Sequence, residues 1–121
     1  MTRVLIVDDA AFIRMQLRNL LESNGFEVVA EAENGRVALE KIQEFRPDLV
    51  TLDITMPEMD GLDCMKEIKK MDYLPIVIMV SALGQEKYVQ ESILSGAKGF
   101  IVKPYTSEAV IKNLSKYKDM A

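Results

Sequence analysis

Apolar residues recur along this chain in two rhythms. Short, nearly unbroken runs stand at Val4-Leu-Ile-Val7, Leu49-Val-Thr-Leu52, Ile76-Val-Ile-Met-Val80 and Phe100-Ile-Val102, each followed by polar or turn residues. Between them the apolar residues return every three or four positions, as on one face of a helix. The pattern predicts strands over about residues 3–8, 27–30, a third ending at Asp53, then 76–80 and 99–103. A helix follows each strand. The first runs to about residue 24, the second lies between Asn34 and Pro47, the third covers about 62–71, the fourth about 85–95, and the fifth starts after Thr106 or Ser107. Ile13, Leu17, Leu20 and Leu21 form the inner face of the first helix, which Asn24-Gly25 is suited to end. Asn34 is a suitable N-cap for the second, with Ala38, Ile42 and Phe45 inward. Met65 and Ile68, then Val89 and Ile93, then Val110, Leu114 and Tyr117 are the predicted inner positions of the last three.

Strand and helix alternate five times with short connections. That order implies a single α/β domain over all 121 residues: a doubly wound, five-stranded parallel sheet with helices on both faces and right-handed crossovers. The fourth run, apolar throughout, suits a strand covered on both faces. Ligands of such sheets bind beyond the carboxyl ends of the strands.

Composition narrows the chemistry. The chain has no histidine, which removes Ser-His-Asp and Cys-His catalysis and every His-ligated metal site. Its one cysteine, Cys64, cannot form an internal disulfide or a CxxC pair, and reads as a small helix residue. A net charge of -4 is unlike that of a nucleic-acid binder. No glycine-rich phosphate loop follows the first strand, so a dinucleotide or flavin is not expected. No apolar run approaches the ~20 residues of a membrane span. Met1 leads directly into a strand without a leader, so a cytoplasmic location is expected.

What remains is carboxylates, hydroxyls and lysines, and they gather at the strand ends. Asp8 and Asp9 end the first strand, Asp53 the third, Ser81 the fourth, and Lys103-Pro104 the fifth. Each alone is an ordinary cap or loop residue; together at one sheet edge they call for a cause. Carboxylates about 4 Å apart repel by roughly 4 kcal/mol at an effective dielectric near 20, so a cluster needs a cation or a raised pKa. Oxygen ligands alone select a hard ion such as Mg²⁺, with waters and a substrate phosphate completing its shell. Lys103 supplies a second positive charge and Ser81 a hydrogen-bond donor. Charge neutralisation and positioning are most of what phosphoryl transfer asks of a protein.

These residues resemble the receiver domain of bacterial two-component response regulators. The resemblance spans essentially the whole chain. It rests on Val4-Leu-Ile-Val-Asp8-Asp9-Ala-Ala-Phe-Ile-Arg14, Asp48-Leu-Val-Thr-Leu-Asp53-Ile-Thr-Met-Pro57-Glu-Met-Asp-Gly61, Ser81-Ala82 and Gly96-Ala-Lys-Gly-Phe-Ile-Val-Lys103-Pro104. It implies the flavodoxin-like strand order 2-1-3-4-5, no output domain, and a phosphorylation-activated switch in place of a turnover enzyme. By this resemblance Asp53 is the phosphoacceptor. Asp9, Asp53 and the main-chain oxygen of Thr55 ligate Mg²⁺, with Asp8 acting through water. Ser81 is the switch hydroxyl, Phe100 the switch aromatic and Lys103 the conserved-type lysine, joined to Pro104 by a cis peptide bond. Tyr105 reads as a half-exposed packing residue.

The resemblance also implies partners: a CheA-type histidine kinase as phosphodonor and, in a chemotaxis role, the flagellar motor switch as target, with the receiver itself a monomer. The lack of histidine agrees with a donor supplied by another protein. Phe12 and Met15 fall off the inner face of the first helix, beside the site, and mark a docking surface for the kinase or a phosphatase. Thr55 and Leu83 flank the site and are expected to set the lifetime of the phosphate. Three other readings stay open. The chain is a phosphorelay intermediate passing phosphate to a downstream histidine, the receiver part of a longer regulator, or a metal-dependent phosphatase. Haloacid-dehalogenase-type phosphatases also place a nucleophilic Asp at a strand end, often with an acid/base Asp two residues on. Here Thr55 stands in that place, and its hydroxyl is a poor proton shuttle near pH 7.

Overall fold

A computed structural model of the chain describes residues 1–82 and 85–118; Leu83, one of the two positions expected to govern phosphate lifetime, lies outside the described residues. Strands β1 (Thr2–Val7), β2 (Phe26–Ala32), β3 (Leu49–Asp53), β4 (Ile76–Ala82) and β5 (Gly99–Lys103) alternate with helices α1 (Ala11–Glu22), α2 (Gly35–Phe45), α3 (Gly61–Ile68), α4 (Glu86–Leu94) and α5 (Ser107–Leu114). A short 3-10 turn, Ser115–Tyr117, extends α5. The sheet is parallel, as the alternation of strands and helices predicts, and its order β2-β1-β3-β4-β5 is the one the family resemblance implies. Among the described residues no helix is long and apolar enough to cross a membrane.

Each face of the sheet has its own core. On one, Val4, Ile6, Leu49, Ile78 and Ile101 pack against Leu17 and Leu21 of α1 and Val110 and Leu114 of α5. On the other, Leu5, Val7, Val50, Leu52, Val77 and Met79 meet Ala38 and Ile42 of α2, Cys64, Met65 and Ile68 of α3, and Val89 of α4. The central strands are covered twice, which is why their sequences are apolar without alternation. Asn34 caps α2 by accepting from Val37 N at 2.9 Å, and Thr106 caps α5 by accepting from Ala109 N at 3.0 Å.

Two features depart from the predicted pattern. β2 runs on past residue 30 to Ala32, because a register shift against β1 between Val4 and Leu5 leaves Val29 as an extra residue. The shift exchanges the faces of β2: Phe26 and Val28 belong to the α1/α5 core, Ala30 and Ala32 to the other. Glu31 is thereby turned toward α1. The second departure is in α4. Ile93, expected inward, is 41% exposed, and Ser92 is fully buried instead. The Ser92 hydroxyl donates back to the Val89 carbonyl at 2.8 Å, so its burial leaves no orphan polar group.

Candidate functional site

β1 and β3 are adjacent, with Val7 opposite Leu52, so the next residue on each strand brings Asp8 and Asp53 side by side at the carboxyl edge. Both are buried, whereas Asp9, one step further along the turn, is exposed. Asp8, Asp9 and Asp53 each offer one carboxylate oxygen within 4.8 Å of the others. Lys103 reaches in from the end of β5, with its Nζ 2.8 Å from Asp8 Oδ2 and 3.4 Å from Asp53 Oδ2. The other Asp8 oxygen accepts from Ala10 N at 2.9 Å, fixing the carboxylate at the turn into α1. The Lys103–Pro104 bond is cis, as expected.

Burial is the largest influence on Asp53 and raises its carboxyl from 3.8 to about 6. The Lys103 charge and hydrogen bond pull the other way, while Asp8 and Asp9 add to the rise. Burial draws the Lys103 ammonium down, but its hydrogen bond to Asp8 and the charges of Asp53 and Asp8 outweigh this and hold it above its ordinary value. The pocket therefore carries more negative charge than its one lysine balances, the condition that a divalent cation relieves.

The loops around the pocket are tightly held. Gly61 N donates to the Ile54 carbonyl at 2.7 Å, and a Cβ on Gly61 would lie 2.3 Å from the Asp53 carbonyl oxygen. Only glycine permits so close a return of α3 onto the end of β3. Glu58, in the left-handed region at φ 63, accepts from Asn34 Nδ2 at 3.1 Å, and Gly35 N donates to the Met59 carbonyl. Thr55 is exposed, and its hydroxyl accepts from Gln85 Nε2 at 2.8 Å. Ser81 is buried and shares a cavity of about 330 Å³ with Phe100, Val89 and Val102; Phe100 itself is 45% exposed. Tyr105 is half-buried and packs on the α1/α5 core. Phe12 and Met15, 63% and 50% exposed, stand on the outer side of α1.

Several contributors have no clear signal in the sequence. Arg14 donates to the Asp8 carbonyl at 2.5 Å and to Glu31 at 3.0 Å, and Arg18 donates to Glu31 at 2.7 Å. This brace on the Asp8 turn exists only because the β2 bulge faces Glu31 toward α1. Arg14 lies within a quoted motif, but nothing in the sequence pairs it with Glu31. Gln85 and Glu58 likewise act through loops whose closure no periodicity encodes.

The donor set fits Mg²⁺. Oxygens bound at about 2.1 Å to one ion lie no more than about 4.2 Å apart, so the three carboxylates need only a small closure or an intervening water. Fold and site together define a flavodoxin-like α/β domain with an acidic, lysine-bridged pocket at its carboxyl edge. The chain belongs to the response regulator receiver domain family, whose model matches residues 4–115. It is 57% identical to the chemotaxis protein CheY of Bacillus subtilis over 114 residues, covering 94% of this chain and 95% of that protein. It is 54% identical to the chemotaxis protein CheY of Thermotoga maritima over the same length and shares of each chain. Among solved structures, CheY in the CheX–CheY complex of Borrelia burgdorferi with BeF₃ and Mg superposes with a TM-score of 0.89. That match has 42% identity and covers 96% of this chain and 89% of that one. CheY-like receivers are signalling switches, not turnover enzymes, and receiver domains bind Mg²⁺ in an acidic pocket; this chain carries an acidic cluster of Asp8, Asp9 and Asp53.

Proposed function

We propose that this chain is a phosphorylation-activated chemotaxis switch that accepts a phosphoryl group on Asp53 from a CheA-type histidine kinase and passes the signal by protein binding to the flagellar motor switch. The observation that carries this reading is the Lys103 ammonium set between two buried carboxylates, Asp8 and Asp53, at 2.8 and 3.4 Å. An Asp53 oxygen attacks phosphorus as the P–N bond of the donor phosphohistidine breaks, its electron pair leaving with the imidazole. Lys103 turns from Asp53 onto a phosphoryl oxygen while keeping Asp8, and Ser81 donates to a second oxygen. Asp9, Asp53 and the Thr55 main-chain oxygen would hold Mg²⁺, with Asp8 reaching it through water; the ion supplies charge neutralisation as negative oxygens converge. The phosphate persists because the Thr55 hydroxyl and the Lys103 ammonium are poor bases for activating water.

The cavity shared by Ser81 and Phe100 supports the switch. Movement of Ser81 toward the phosphate lets Phe100 turn inward, and both bias the α4–β5–α5 face toward a partner-binding arrangement. Phe12 and Met15 are the proposed contact for the kinase or a phosphatase. The relationship to the CheY proteins and the protein complex formed by the Borrelia relative support the chemotaxis reading.

Phosphotransfer from a CheA-type kinase in Mg²⁺ tests it. Wild type is expected to gain one acid-stable, base-labile phosphate and Asp53→Asn none; equal labelling of the two proteins would end the proposal.

A further inference from the structure

β3 and β4 part just beyond Asp53. Asp53 pairs with Val80, and Ile54 N donates to the Val80 carbonyl at 3.0 Å. The two backbone groups of a strand residue point to the same side, and sides alternate along the strand. Ala82, two residues after Val80, therefore presents its N–H toward β3 as well. A continued ladder would offer that N–H the Ile54 carbonyl, but Gly61 N already donates there at 2.7 Å. The Ala82 N–H is taken instead by a side chain: Gln85 Oε1 accepts it at 2.6 Å, while Gln85 Nε2 donates to the Thr55 hydroxyl. One primary amide bridges the two loops that frame the acidic pocket.

We propose that the Gln85 side chain is an internal competitor of the phosphoryl group, its carbonyl holding the backbone donor that a phosphoryl oxygen on Asp53 takes when the pocket is loaded. The proposal rests on Asp53 being the phosphoacceptor. A backbone N–H without a ladder partner at a strand end is a natural oxyanion donor, and its bond to a charged oxygen is roughly twice as strong as one to a neutral amide. Exchange of Gln85 for phosphate thus favours the loaded state, but less than it would with the donor free. The displaced side chain has room to move: a cleft of about 270 Å³ lined by Met56, Leu62 and Tyr88 opens beside it. Its release also frees the Thr55 hydroxyl, so the same event removes one of the ties on the β3–α3 loop. Gln85 is a positioning residue, acting on the donor and not on the reacting atoms.

Calorimetric titration of beryllofluoride in saturating Mg²⁺ tests this on wild type, Gln85→Ala and Gln85→Glu. Gln85→Ala is expected to bind two- to tenfold more tightly than wild type, the range one neutral hydrogen bond commands. Gln85→Glu keeps an acceptor on Ala82, adds charge repulsion, and is expected to bind no better than wild type. In the metal-free protein, the Ala82 amide proton is expected to move upfield in Gln85→Ala, a readout independent of loading. Gln85→Ala binding as weakly as wild type, or an unmoved Ala82 resonance, overturns the proposal. Failure of all three proteins to bind beryllofluoride instead removes the phosphoacceptor reading, and this one with it.

Discussion

Asp53 ionises against its burial, and that sets a measurable property of the metal-free protein. Its carboxyl titrates at about 6 when folded against 3.8 when free, so in that window the native chain keeps a proton the unfolded chain has lost. A folded value above the unfolded one means this group's contribution is complete below pH ~4 and is lost as pH rises through 6. Roughly two units at ~1.4 kcal/mol each put the loss on the order of 2–3 kcal/mol. Asp53→Asn cannot ionise, so without divalent ions it is expected to exceed wild type by about that much at pH 8 and to converge with it near pH 4. Urea melts at the two pH values check this. Equal stability at pH 8 would mean that Lys103, 3.4 Å away, already neutralises the carboxylate.

At the scale of elements, two of the helix caps, Asn34 and Thr106, separate a stabilising role from a site-shaping one. Asn34 and Thr106 each accept from one backbone N–H at a helix start, and removing either is expected to cost about 1 kcal/mol. Only Asn34 also reaches the β3–α3 loop, through its donation to Glu58. Asn34→Ala is therefore expected to weaken Mg²⁺ binding severalfold as well as stability, and Thr106→Ala to lower stability alone; urea melts paired with Mg²⁺ titrations distinguish them. Both caps and the strand ends carrying Asp8, Asp53, Ser81 and Lys103 were legible in the residues, because cap chemistry is local and buried strands announce themselves by unbroken apolar runs; the strand order came from the family resemblance alone. The bulge at Val29 was not, since one extra residue reverses face assignment without altering composition. Neither was the exchange of Ile93 for Ser92, since a hydroxyl that bonds back to its own helix can be buried. The Gln85–Thr55 bond and the Arg14–Glu31 brace join segments well separated in the chain, which periodicity does not carry.

At the scale of the whole molecule, with Mg²⁺ held at Asp53 as proposed, proton and metal compete for one carboxylate, so ion binding is expected as a pH-dependent gain in global stability. A ligand present at about a hundred times its Kd stabilises the folded state by about 2.7 kcal/mol, on the order of 10 °C in Tm for a domain of this length. Binding at Asp53 displaces the proton held below about pH 6. The apparent affinity is then flat above that value and falls about tenfold per unit below it. Thermal melts with and without Mg²⁺, at fixed concentration, are expected to show the full shift at pH 7.5 and about half of it at pH 5. Asp53→Asn is expected to lose most of the shift at both, because the deleted charge is the one buried between β1 and β4. A shift of equal size at pH 5 and 7.5, or one that survives intact in Asp53→Asn, would place the ion on exposed Asp9 and leave the buried pair to Lys103 alone. The strands would then deliver their carboxylates to a salt bridge, and the acidic edge of the sheet would need a different chemistry.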